Sequence, residues 1–219
     1  MTFISRRDLL KRAGAIGVAG VVARPALGLD HVVPPEGVLG VQAVAQPLEH
    51  LTAEEFDILE AIVARLIPSD ALGPGAKEAS AGRYIDRALG GALASSRPAY
   101  TAGLAALDRY ARSSRGNAFV RLSPTDQDSV LIDAETGAAT GFTGSSAVFF
   151  NMVLNHTHQG TFGDPYYGGN ANFIGWDLIG YPGVRTMVST ADQKQLEADA
   201  MKPNHKSAYS YDAFTKAER

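Results

Sequence analysis

Apolar residues recur at helical spacing in five stretches of the chain, and nowhere is the two-residue alternation of a strand sustained. The first stretch carries Phe56, Leu59, Ile62, Val63, Leu66 and Ile67. Thr52 and Glu55 stand at the spacing of a capping box, Leu51 and Phe56 at that of a hydrophobic staple, and Pro68 ends the run. A second helix is expected from about Ala76 to Leu89, with Tyr84, Ile85, Ala88 and Leu89 on one face and Gly90-Gly91 as its stop. A third begins near Ser96 with Pro98 in its first turn, carries Tyr100, Leu104, Leu107 and Ala111, and ends at Gly116. Ser123-Pro124-Thr125-Asp126 opens a fourth, which carries Val130, Leu131 and Ala134 and stops at Gly137. The fifth, capped by Ser145, has Val148, Phe149, Phe150, Met152, Val153 and Leu154 on every side. It is expected to be the buried central helix, closed by Gly160. The pattern predicts an all-α fold: a compact domain of about five to six helices, with extended arms at both ends.

The periodicity stops at Gly160. Residues 160–183 hold seven glycines and six aromatic residues, including the only tryptophan. Glycine permits close backbone approach, and large rings supply contact area. A long ordered loop is expected, too aromatic for disorder. Beyond Gly183 the apolar content is modest. A short helix is expected around 190–201, and Tyr209, Tyr211 and Phe214 punctuate a polar tail suited to lying on another protein.

Before the first helix the character differs again. Arg6-Arg7 precedes a weakly apolar run, Ala13 to Ala23, too short to span a bilayer. This reads as a twin-arginine export signal over 1–28, cleaved after Gly28. Residues 29–50, with three prolines, read as an extended arm. The remaining divisions are a helical domain over 51–185 and a docking tail over 186–219. Cleavage would remove five cations and one anion, moving the formal charge from −3 to −7. An acidic chain with no basic run after its leader is a poor partner for nucleic acid. The expected location is the periplasm.

Composition narrows the chemistry. The chain has no cysteine, which excludes disulfides, thiolate zinc sites, iron–sulfur clusters and a cysteine nucleophile. No GxSxG elbow and no GxGxxG after a strand are present. Glu54, Glu55 and Asp57 look like clustered acids but sit in a capped first turn, where they favour the helix dipole. His156 and His158 form the one histidine cluster. Residues two apart point different ways on a helix, so they are read as a helix terminus bonding its last carbonyls rather than as metal ligands. Asp164, Asn170, Asn172 and Asp177 could supply polar groups if the loop bound a sugar. From the residues alone, docking to a protein and packing back on the chain's own helices stay equally open.

Three segments together carry a family resemblance: the leader, the stretch Leu51–Asp70, and 160–183. Ile67-Pro68-Ser69-Asp70, Pro74-Gly75-Ala76, Gly160 through Asn170, Gly175-Trp176 and Gly180-Tyr181-Pro182-Gly183 resemble the gluconate 2-dehydrogenase subunit 3 family over about residues 50–185. That resemblance implies a non-catalytic small subunit, with no cofactor of its own. Its partner would be a flavoprotein of the glucose–methanol–choline type carrying FAD, often joined by a multihaem cytochrome c, with membrane association only through the complex. It also implies that the small subunit's signal carries the folded flavoprotein across the membrane and that the small subunit stabilises it. On this reading Phe162, Asp164, Pro165, Tyr166, Tyr167, Asn170, Trp176, Tyr181, Tyr209 and Tyr211 face the partner. His156 and Asn170 are the candidates for contact with the partner's substrate. The competing reading is an independent periplasmic sugar-binding or metal-dependent module built on His156, His158 and the aromatic loop.

Overall fold

The computed structural model describes residues 47–71 and 73–215. The export signal, with Arg6, Arg7 and Gly28, and most of the expected arm lie outside the described residues. The described residues contain helices and turns but no strand, apart from an isolated bridge between Asp70 and Gly73. The fold is all-α.

Five helices build the core: α1 (Ala53–Leu66), α2 (Ala81–Ala88), α3 (Arg97–Arg115), α4 (Pro124–Glu135) and α5 (Ser146–Phe162). α1 starts where the sequence says it must. Thr52 Oγ1 accepts from Glu55 N, and the Glu55 carboxylate accepts from Thr52 N at 2.8 Å. α4 is capped by Ser123 with Pro124 in its first turn, and α3 ends at Gly116 in the left-handed region, φ 79°. α2 is shorter than its apolar pattern implied. Residues 76–80 fold back instead, with Ala76 N bonded to Ile67 O, and Ser80 at φ 60° interrupts the helix.

α5 packs against each of the other four core helices. Leu59, Ile62, Val63, Ile85, Tyr100, Leu104, Leu107, Phe119, Val130 and Val153 fill the interior. Burying one such side chain stabilises the fold by about 1.5–3 kcal/mol. Two expectations for α5 are corrected. It keeps a wet face, with Val148 71% exposed and Asn151 and Asn155 also exposed. It also runs past Gly160 to Phe162, because Gly160 serves a helix crossing rather than a stop. A Cβ there would stand 2.9 Å from Ala81 Cα on α2.

Buried polar groups join these elements. The Asp86 carboxylate, on the inner face of α2, accepts the backbone N–H groups of Glu49, His50 and Leu51 at 2.7–3.0 Å. It thereby fixes the segment that leads into α1. Asp108 Oδ1 and Gln127 Nε2 bracket the peptide of Phe119, at 2.8 and 3.0 Å. Arg65 and Asp128 form a two-pronged pair between α1 and α4.

Candidate docking face on the aromatic loop

The loop after α5 is pinned to the core by its backbone. Gly169 lies against the carbonyl of Gly160, Asn170 N bonds Gly160 O at 2.7 Å, and Ala171 N bonds Ala79 O at 3.0 Å. Asn170, fully buried at φ 44°, then staples the loop across itself. Its Nδ2 donates to Gly163 O at 2.9 Å, and its Oδ1 accepts from Gly175 N at 2.8 Å. Asparagine tolerates the left-handed region because its short amide bonds locally. Phe173, at φ 62°, is a bulkier residue held in the same region.

The expected long ordered loop resolves into 3-10 turns at Pro165–Tyr167 and Ala171–Phe173, followed by a short helix α6 (Ile174–Leu178). Trp176 on α6 is 5% exposed and donates from Nε1 to Phe162 O at 2.9 Å. Tyr181 meets its ring edge-on at 4.8 Å.

The tail returns over this layer. Helix α7 (Thr190–Glu197) is capped by Ser189 and Asp192, and is shorter than the 190–201 expected. After it, Asn204 Nδ2 donates to Val184 O and Tyr211 OH donates to Val184 O. His205 Nε2 pairs with Asp177 Oδ1 at 2.7 Å, and its ring stacks on Phe173. Asp164 ties the two segments most closely: its carboxylate accepts from Tyr166 N, Ser207 Oγ and Ala208 N at 2.6–2.9 Å. Residues 204–211 of the expected docking tail thus lie on this chain.

What remains outside is a face of phenols. Tyr166 is 58% and Tyr167 52% exposed. Tyr209, from the tail, stacks on Tyr166 with centroids 3.6 Å apart, and its hydroxyl meets that of Tyr167 at 3.0 Å. The Tyr167 hydroxyl pushes the Tyr209 phenol up to about 12, so it stays protonated. Ile179 and Tyr181 are further exposed apolar groups of the loop.

Sequence reasoning therefore gathered residues with different positions. Tyr166, Tyr167 and Tyr181 are exposed, while Phe162, Pro165, Tyr209 and Tyr211 are half-buried. Asn170 and Trp176 are corrected: both are interior, and their polar groups are bonded within this chain. Asp164 is a joint between loop and tail rather than a free contact. His156 is corrected as well, because it lies within α5 and is 9% exposed. Its Nδ1 and the Tyr100 hydroxyl share a hydrogen bond at 3.0 Å, and burial lowers its pKa, which favours the neutral ring. His156 and Asn170 are both buried against this chain's own groups. His158 is exposed, beside the Phe162 ring. No group of three or more metal-ligating side chains occurs among the described residues.

Other joints were missed. Glu78 and Ser69 close the Ile-Pro-Ser-Asp turn: Ser69 Oγ donates to Glu78 Oε2 at 2.6 Å, and Gly75 N reaches both side chains. Asp86 had a legible signal, an acid on the apolar stripe of α2. Ser207, in a tail read as lying on another protein, had none.

No helix among the described residues is long and apolar enough to cross a membrane. Neither curated proteins nor solved structures gave a match. One family model, described as gluconate 2-dehydrogenase subunit 3, matches residues 53–183. That span covers α1 through the whole aromatic loop and is more than half of the chain, so the chain belongs to the gluconate 2-dehydrogenase subunit 3 family.

Proposed function

We propose that this chain is the non-catalytic small subunit of a periplasmic, FAD-dependent sugar or sugar-acid dehydrogenase. It escorts the folded flavoprotein through twin-arginine export and stabilises it afterwards. The family is named for a subunit of a multi-subunit enzyme, so partners of some kind come with membership. The observation that carries the finer reading is the tyrosine face. Tyr166 and Tyr167 are exposed yet held on a loop whose backbone is pinned to the core. Large rings on a rigid support bind with little loss of entropy, and Tyr and Trp are favoured at interface hot spots.

Flavin is inserted before export, so the catalytic subunit must cross in its folded state. A partner that lends its signal must not fall off on the way. That requires slow dissociation and an interface of roughly 2,000 Å² or more. A multihaem cytochrome c belongs to the same proposal as a third subunit.

Co-expression of the flavoprotein with this chain carrying Arg6→Lys and Arg7→Lys tests the escort role. The expected result is a flavoprotein retained in the cytoplasm. Unchanged arrival in the periplasm would show that the signal on this chain does not carry it.

A further inference from the structure

We propose that residues 201–211 form a clamp, seated on the Asp164 carboxylate, that sets the geometry of the tyrosine face and opens without unfolding the helical core. The proposal stands whether or not a partner binds that face.

Three observations carry it. First, Asp164 gathers donors from both segments at once: Tyr166 N on its own turn, then Ser207 Oγ and Ala208 N on the tail. Bonds to an ionised carboxylate are about twice as strong as neutral ones. The same contacts place Tyr209, two residues after Ser207, against Tyr166 and Tyr167. Second, apart from the stacking of His205 on Phe173 and of Tyr209 on Tyr166, the remaining ties are polar and shallow. Asn204 bonds Pro182 O and Val184 O, Tyr211 bonds Val184 O, and His205 pairs with an exposed Asp177. Third, no residue from 201 to 211 is buried, whereas the loop beneath holds Asn170 and Trp176 in the interior. Lifting the tail therefore exposes little apolar surface and leaves the anchors of the loop in place. Segments closed by few buried contacts open locally, well below the free energy of global unfolding.

Asp164 is thus a positioning residue. It need not touch a partner, yet it decides whether Tyr209 completes the face.

Hydrogen exchange on the full chain tests this by comparing wild type with Asp164→Asn and with Ser207→Ala. Asp164→Asn should speed amide exchange across 201–211 by about tenfold or more, with the amides of α2 to α5 unchanged. Ser207→Ala removes one tail donor and leaves the carboxylate in place, so it should shift the same amides in the same direction by less. Two results overturn the proposal: tail exchange unchanged in both variants, or tail and core amides accelerated by the same factor. The second would mean that clamp and core open as a single unit.

Discussion

In the helical core, Leu, Ile, Val and aromatic side chains fill the interior, and the buried carboxylates Asp86 and Asp108 enter with backbone N–H partners. The layer of residues 163–211 is closed differently. It has two large buried side chains, Asn170 and Trp176, and otherwise relies on side chains that bond backbone groups: Asp164, Asn204 and Tyr211. The contrast teaches a division of labour. Burial makes the core cooperative, and bonding from side chain to backbone lets a chain of irregular shape keep its large rings outside.

The contrast is broken most severely from the core side. Phe119→Ala should destabilise the protein by about 3–5 kcal/mol, since the ring is fully buried and its peptide is held on two sides. Chemical denaturation would show a lower midpoint for core and loop together. Asn170→Ala is the loop's counterpart. It leaves Gly163 O and Gly175 N without their partner and should lose about 2–4 kcal/mol in local stability. Trp176, as the only tryptophan, reports the change by a red-shifted fluorescence. If Asn170→Ala lowers the global midpoint as far as Phe119→Ala does, the two layers are one unit.

A smaller effect concerns pH. Burial lowers the pKa of His156 below its ordinary 6.5, so below that pH the unfolded chain takes up a proton that the folded chain resists. Stability contributed by the neutral ring is therefore complete above about 6.5 and declines as pH falls toward the folded value. Thermal midpoints measured from pH 7.5 down to 5 should fall in wild type, and His156→Gln should flatten that slope. The smallest effect belongs to the exposed ring: Tyr166→Ser should change stability by less than about 0.5 kcal/mol while weakening retention of a partner in co-purification. Unchanged retention would remove Tyr166 from the face.

The core was legible because its signals are local. Thr52 with Glu55, Ser123 with Pro124, and Gly116 each announce a helix end through neighbours in sequence, and the apolar period names the buried face. The misreadings have a common cause. Gly160 looked like a terminator because glycine often is one, yet its missing Cβ is used by α2, which lies some eighty residues earlier in the chain. α2 begins only after Ser80, at φ 60°, and the turn before it is tied to Ile67 by Ala76 N, a contact that local propensity does not announce. For the loop, composition showed that many rings must find contacts but not which ones. Trp176 and Asn170 turned inward, and Tyr166 and Tyr167 outward. The choice rests on bonds to Phe162 O, Gly163 O and Gly175 N that no period encodes.

The central claim is that the face made by loop and tail meets the flavoprotein. Hydrogen exchange on this chain, free and in the purified complex, tests it most directly. The account predicts protection concentrated in residues 163–184 and 201–211, including the turn of Tyr166 and Tyr167. Protection confined to α1–α4, with those two segments exchanging as they do in the free chain, would contradict it.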